Sequence, residues 1–556
     1  MAKINIFALG GLDENGKNSY VIEIDDSIFL INAGSKIPIN STNGVDTLIP
    51  NFNYLEKNKK RIKGVFITDA KNESFSALPW LLMKIKKLKI YCSSFTKFLI
   101  LDRISKYKID ELSFEVISVG SSKIDFGDNV SVSAISLAGS MVGTYGWNFE
   151  TEDGHILVLL NFVLGSLGVY GTTDLKKIKQ NITSPKGLHS LLMVSGNAIG
   201  NAVGNAIDKI FITPIIETVF FNGKPDSRII VGALDEEMAS LHEVLNLAIK
   251  YDRPLAIYGR TYSKLIELVK KIRINSEYVE MPKFIDYKDI DKVNNAVVLV
   301  TSTNERLYKR FLRITEGNDI YLKLRKTDNV IMVAPPINGL EVLYALILDE
   351  IARITPLITD VTENEHYKAR PARKDIYTIV KHLKPKFFIP LQGLYRYLVV
   401  TSQIAATAGM NRSNLIILQN GKIATFIDGK LYSTKKSIKE VGEVIIDGFG
   451  MGDISTEVIN ERETLAREGV IAITGLIDYK TKQLKSELKI TTSGIITSET
   501  KNEAYEIISS LGYQLFLNNK KINLKDIQDK LKKMVRKKMY KLYEKEPMVV
   551  VVFYEI

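Results

Sequence analysis

Between an apolar run, Gly64-Val65-Phe66-Ile67, and a second apolar stretch from Ala77 to Met83 stands the segment Thr68-Asp69-Ala70-Lys71-Asn72-Glu73-Ser74. The first flank predicts a buried strand, the second a helix with Pro79 in its first turn. A polar loop after a strand and before a helix is where α/β proteins place their chemistry. Asp69 and Glu73 are hard oxygen ligands of the kind magnesium or manganese take. Lys71 stands between them as a cation, costly there if buried without a partner. Imidazole chemistry is poorly supplied. The five histidines, His155, His189, His242, His366 and His382, are scattered, and Cys92 is the only cysteine. A dinuclear zinc centre draws on several imidazoles and bridging carboxylates, and this set makes one hard to assemble in any fold.

The remaining composition bounds the class. A chain of 556 residues is long enough for several domains, each with its own core. Lysine and arginine outnumber aspartate and glutamate 75 to 63, a net charge of +12, which points to polyanionic partners and to nucleic acid above all. Basic runs lie at Lys57–Lys63, Lys84–Lys89 and Lys530–Lys541, and each also reads as a solvated face. No apolar run is long enough to span a membrane and no secretory segment follows Met1, so a cytoplasmic location is expected. The single cysteine allows no intrachain disulfide and agrees with a reducing compartment.

The elements that must position the loop follow in order. Ala2 to Leu9 predicts a first strand, and Gly10, Gly11 and Gly16 a tight connection after it. Ile28 to Ile31 predicts another strand. From about residue 228 the pattern becomes βαβ. Strands are expected at Ile229–Val231, Leu255–Tyr258, Ala296–Val300 and Val330–Val333, with helices at Glu236–Lys250 and Ser263–Ile272. That alternation predicts a parallel, Rossmann-like sheet. Near the C-terminus a basic amphipathic helix is expected over Leu524–Glu544, with Ile527, Leu531, Met534, Val535 and Leu542 on its apolar face, before a last strand at Met548–Tyr554.

Several motifs in this frame resemble the RNase J family of metallo-β-lactamase/β-CASP ribonucleases. Leu9 to Asn18 resembles that family's LGGxxExGKN, Gly44 to Phe52 its GVDxxIPDF, and Val444 to Asp453 its VxxDGxGxGD. The loop at 68–74 is framed like the family's zinc-binding THxHxDH, yet Asp69, Lys71, Glu73 and Ser74 occupy the ligand positions. By the same resemblance the other ligand positions carry Gly139, Asn161 (in Leu159-Leu160-Asn161-Phe162, against HTGDF) and Gln392 (in Pro390-Leu391-Gln392-Gly393, against PVHGEY). Ser302, Thr303 and Asn304 match the phosphate-contacting TGSQGE. His366 to Arg370 matches HxSGHA, with His366 retained and Arg370 in place of the second histidine. Lys368, Arg370 and Arg373 would form a basic cluster suited to phosphate oxygens.

The resemblance implies an α/β fold: a metallo-β-lactamase αββα sandwich with an inserted Rossmann-like β-CASP domain and a small α/β C-terminal domain. The implied boundaries are 1–198 and 366–440 for the sandwich, 199–365 for the insertion, 441–460 for a linker and 461–556 for the C-terminal domain. Family catalysis is zinc-dependent hydrolysis of RNA, and none of the seven ligand positions here keeps the family residue. The expectation is therefore no bound metal, and a non-catalytic RNA-binding subunit of the degenerate second-paralogue type. It would scaffold or regulate an active RNase J paralogue in mRNA decay and rRNA maturation, in a hetero- or homo-oligomer formed through the C-terminal domain. RNA contacts are expected from Ser302, Thr303, Asn304, His366, Lys368 and Arg370.

Two other readings stay open. Asp69 and Glu73, with Asn161 and Gln392, could hold magnesium or manganese in an active 5′–3′ exo- and endoribonuclease with His366 as acid or base. Or the chain is a purely structural partner without RNA binding. Lys71 is expected to fill the former metal position by pairing with Glu73 or Asp69.

Overall fold

A computed structural model describes residues 2–38, 45, 47–127, 129–182, 190–195, 203–271, 279–337, 339–364, 369–447, 450–451, 456–479, 481, 483–495, 501–518 and 523–556. The chain divides into two units, one of Met1–Ile39 with Thr47–Val444, the other of Asn40–Asp46 with Ile445–Ile556.

The first unit is built on two facing sheets. One has eight strands, ordered Lys430–Ser433, Ala424–Ile427, Lys3–Gly10, Ser19–Ile24, Ser27–Ile31, Ile62–Phe66, Leu88–Cys92 and Phe114–Ser118. The other has six, ordered Phe387–Leu391, Ser190–Ser195, Gly154–Leu159, Tyr145–Thr151, Ser131–Ser136 and Ile124–Asp125. Alternation explains the packing, since successive strand residues face opposite sides. Ile4, Ile6 and Ala8 share a core with Tyr20, Ile22, Phe29 and Phe66 from the first sheet and with Val132, Trp147, Phe149 and Val158 from the second. Phe66 anchors this layer, its ring 5.1 Å from Trp147 and 5.4 Å from Phe149, both edge-on. The opposite face of the second sheet (Leu157, Leu159 and Phe388) is covered by Ile376, Ile379 and Leu383 of helix Arg373–Leu383 and by Ala405 of helix Tyr395–Thr407. Helix Ser94–Ile104 packs on strand Phe114–Ser118. This is the expected αββα sandwich.

The insertion is a five-stranded parallel sheet, ordered Leu255–Tyr258, Val297–Ser302, Ile229–Leu234, Asn329–Val333 and Ile358–Asp360. Its strands are apolar on both faces because helices cover both. Ile229, Val231 and Ala233 join a core with Leu241, Val244, Leu265 and Ile266. Ile230, Val298 and Met332 face the other way, against Tyr308, Phe311 and Ile347. The first of these cores continues into Ala70, Phe95, Ala138 and Val163 of the sandwich, so the two folding layers share one interior around the 68–74 loop.

Two predicted boundaries shift with consequence. The helix expected from Glu236 begins at Met238, which leaves Glu236 and Glu237 in the preceding turn, free to reach sideways. The strand expected to end at Val300 runs to Ser302.

The second unit holds a three-stranded sheet, with Val470–Ile477 antiparallel to Lys489–Ser493 and parallel to Met548–Glu555. Helix Leu524–Tyr543 packs on strand Met548–Glu555 and on helix Lys501–Asn518. Its buried residues are Ile527, Leu531, Val535 and Met539, an unbroken row at every fourth position. Leu542, expected in that row, is 42 % exposed. No helix among the described residues is long and apolar enough to cross a membrane.

Candidate functional site: a buried charge network

The 68–74 loop leaves strand Ile62–Phe66 and enters the short helix Asn72–Phe75. Asp69 sets its shape, with Oδ1 accepting the Lys71 backbone N–H at 2.9 Å and Oδ2 accepting the Thr68 hydroxyl at 2.9 Å. Asn32 holds the strand end from beside it: its Nδ2 donates to Thr68 Oγ1 and its Oδ1 accepts the Thr68 N–H, each at 2.9 Å. Gly34 is required by close approach, because a Cβ there would lie 1.6 Å from the Glu73 carbonyl oxygen.

Asn161 stands at the centre. Its Nδ2 donates to Asp69 Oδ2 and to Glu73 Oε1, both at 3.0 Å, while its Oδ1 accepts from Arg370 Nε at 3.0 Å. These three bonds fix the amide orientation, since a flipped amide would set oxygen against two carboxylates and nitrogen against a guanidinium. Asn161 has a φ of 51°, a left-handed conformation that asparagine tolerates better than other side-chain-bearing residues. Arg370 completes the bridge, with Nη2 2.6 Å from Glu73 Oε1.

Lys71 does not pair with Glu73 or Asp69 as expected. Its ammonium reaches the inserted domain and meets Glu237 Oε1 at 3.0 Å, with both side chains buried. The neighbouring Glu236 Oε1 accepts both the Asn72 backbone N–H, at 2.8 Å, and its side-chain Nδ2, at 2.6 Å. Ser140 Oγ donates to the Glu236 carbonyl at 2.8 Å. The roles of Glu236, Glu237 and Tyr20 are not legible in the sequence, because no periodicity or motif marks a carboxylate 166 positions away as the partner of Lys71.

The electrostatics follow from burial. Among the described residues, the carboxylates of Asp69, Glu73, Glu236 and Glu237 share this interior with the cations Lys71 and Arg370. Burial pushes the Asp69 carboxyl above its ordinary range, against the opposing pull of Asn161 and Lys71. Burial also pushes Glu236 up, to about 7, although the Asn72 backbone and Lys71 resist it. Burial alone would lower Lys71, but Glu237 and Glu73 outweigh it and hold the ammonium above its usual range. Arg370 is held protonated in the same way, with Glu73 overcoming the cost of burial. Tyr20, fully buried beside this set, is pushed well up by burial and by Glu73, and its hydroxyl lies 3.2 Å from Asn18 Oδ1 and 3.4 Å from the Gly11 carbonyl oxygen.

Comparison with known proteins fits this architecture. A family model described as Ribonuclease J, beta-CASP domain matches residues 226–351, and one described as Ribonuclease J C-terminal domain matches residues 457–556. The chain belongs to the RNase J family. An uncharacterized protein of Mycoplasma genitalium is 28% identical over 563 residues, covering 98% of this chain and 97% of that protein. Ribonuclease J2 of Bacillus subtilis is 25% identical, covering 100% and 99%, and Ribonuclease J 2 of Staphylococcus aureus is 23% identical, covering 100% and 98%. A crystal structure of a protein of unknown function from Enterococcus faecalis aligns with a TM-score of 0.50 at 14% identity, over 76% of this chain and all of that one, a likeness of fold.

In this RNase J family member the zinc centre implied by the resemblance does not fit the residues present. A two-metal centre needs imidazoles and carboxylates converging on a space that cations can enter. Here the Asp69 and Glu73 oxygens already accept from Asn161, and Glu73 also accepts from Arg370. A Cβ at Gly139 would lie 2.3 Å from Thr144 Oγ1, so Thr144 fills the space a side chain at 139 would use. Among the described residues no group of three or more His, Cys, Asp or Glu side chains is arranged to hold a metal ion. Magnesium or manganese held by Asp69, Glu73, Asn161 and Gln392 meets the same objection. The Asn161 oxygen faces Arg370 and its nitrogen faces the carboxylates, the wrong polarity for a cation between them.

The other predicted positions divide. Ser74 is fully buried, and its Oγ has no hydrogen-bond partner among the described residues. Gln392, 3 % exposed and at φ 63°, likewise has both amide atoms without partners among them. Ser302 closes its strand with its carbonyl accepting the Asp235 N–H at 3.1 Å, which sets the Ser302-Thr303-Asn304 turn beside the 235–237 segment. Arg370, expected to face phosphate together with Arg373, is instead turned inward and committed to Glu73 and Asn161, while Arg373 is exposed at the start of its helix. His366 and Lys368 lie outside the described residues.

Proposed function

We propose that this RNase J family member is a non-catalytic RNA-binding subunit that scaffolds or regulates an active RNase J paralogue in mRNA decay and rRNA maturation. The observation that carries the reading is the Asn161–Arg370 bridge. A metal pair would act by activating water and clamping a phosphate. Here a neutral amide and a guanidinium satisfy the same carboxylates and supply neither an open coordination position nor a lowered water pKa. The fold around the bridge is retained, and a basic chain with the Ser302-Thr303-Asn304 turn at the end of a parallel strand is suited to holding RNA without cutting it. Relatives named Ribonuclease J2 support the second-paralogue role, with the C-terminal unit offering the surface for a partner subunit.

The test uses purified full-length protein, a 5′-labelled single-stranded RNA, and zinc, magnesium and manganese in turn. The expected result is salt-sensitive retention of the RNA at unchanged length. Shortening that disappears in the Glu73→Ala variant would overturn the non-catalytic reading. Absence of retention at low salt would overturn RNA binding.

A further inference from the structure

Helix Leu524–Tyr543 carries eight lysine and arginine residues against two aspartates. Its apolar side is already used, because Ile527, Leu531, Val535 and Met539 are buried in the core of the C-terminal unit. What faces outward is a cationic stripe. Lys530, Lys533, Lys537 and Lys541 are exposed and have no salt-bridge partner among the described residues. The flanking Lys532 is the exception, lying 3.5 Å from Asp529. Tyr540 stands in the same stripe, 56 % exposed.

The spacing of this stripe selects its partner. A helix rises about 1.5 Å per residue, so Lys533, Lys537 and Lys541 succeed one another at about 6 Å along the axis. That is close to the span of one extended nucleotide, about twice the 3.4 Å per-strand rise of stacked duplex DNA. An exposed tyrosine within a cationic row adds a face on which a base can stack. A membrane surface is the poorer match, because an interfacial helix must bury an apolar face in lipid and this one has spent its apolar face on its own sheet.

We infer that the outward face of helix Leu524–Tyr543 is a contact site for single-stranded RNA, with Lys533, Lys537 and Lys541 on successive phosphates and Tyr540 against a base. The inference rests on the RNA-binding reading above and adds to it a surface on the C-terminal unit.

The test compares the full-length protein with the Lys533→Ala/Lys537→Ala/Lys541→Ala variant and with the corresponding triple Lys→Arg variant. Binding of a fluorescent oligouridylate is followed by anisotropy across a salt series. Each lost phosphate contact removes about 0.7 from the slope of log affinity against log salt for a single strand, so the alanine variant should lose about 2 from the slope. It should also bind about tenfold or more weakly at low salt, while the arginine variant stays near wild type. A Tyr540→Ala variant should weaken binding and leave the slope unchanged. If the wild type binds RNA and the triple-alanine variant matches it in affinity and slope, this site is refuted and the RNA-binding reading stands. If the wild type binds no RNA, both fall. Co-sedimentation with phosphatidylglycerol vesicles, lost in the triple-alanine variant and unaccompanied by RNA binding, would overturn the assignment in favour of lipid.

Discussion

Arg370 Nη2 lies 2.6 Å from Glu73 Oε1, with the two side chains only 10 % and 18 % exposed. Arg370 also holds the Asn161 amide that bridges Glu73 to Asp69, so one guanidinium orients the whole set. Removing one partner of a buried pair takes from the other its bonded counter-charge and costs roughly 3 to 5 kcal/mol. Arg370→Met should therefore destabilise the protein by about that amount in urea unfolding. The Arg370→Met/Glu73→Gln double variant should recover a large part of the loss.

Lys71 and Glu237 tie the sandwich loop to the inserted domain at 3.0 Å. A double-mutant cycle of Lys71→Met and Glu237→Gln should show a coupling of about 1 to 3 kcal/mol. A coupling near zero would mean that the ammonium is satisfied elsewhere.

Glu236 gives the protein a pH signature. Its folded pKa is raised to about 7 by burial, above the ordinary glutamate value, so between about pH 4.5 and 7 the folded state holds a proton that the unfolded state has released. Stability from this group is fully present below that window and falls as pH rises through it. The limiting slope is about 1.4 kcal/mol per pH unit for one proton. Glu236→Gln keeps an oxygen for Asn72 and removes the titration. The variant should lose the decline between pH 4.5 and 7 and exceed the wild type in stability at pH 8.

Gly139 is held without a side chain by Thr144, whose Oγ1 would lie 2.3 Å from a Cβ at that position and donates to the Met141 carbonyl at 3.0 Å. Gly139→Ala should cost about 1 to 3 kcal/mol by overpacking. The same substitution in a Thr144→Gly background should cost less. Equal costs in the two backgrounds would place the strain elsewhere.

Much of the architecture was legible because it is written in short periods. Ile229 to Val231 and Val330 to Val333 announce buried parallel strands, and Ile527, Leu531 and Val535 announce a helix face. The strand–loop–helix frame likewise predicted the local structure around Asp69 and Glu73, which the fold brings to the same Asn161 amide. What the sequence hid was which partner each charge takes. Lys71 finds Glu237 across the interior shared with the insertion, and Arg370 turns inward where an exposed phosphate ligand was expected. Both outcomes follow from desolvation: a buried ammonium or guanidinium takes whichever carboxylate the fold brings to it, and the fold, not the spacing along the chain, decides which that is. The error on the basic helix was one of phase. Met539 continues the four-residue row of Ile527, Leu531 and Val535, and Leu542 falls outside it.

On the proposed reading, Asn161 and the cations Arg370 and Lys71 take the place of a metal pair. Elemental analysis of the full-length protein tests it most directly, after incubation with excess zinc and manganese and removal of the unbound ions. The expected result is far less than one retained ion per chain, and no further rise in the Asn161→Asp variant while Arg370 remains. One or two tightly held ions per wild-type chain would contradict it.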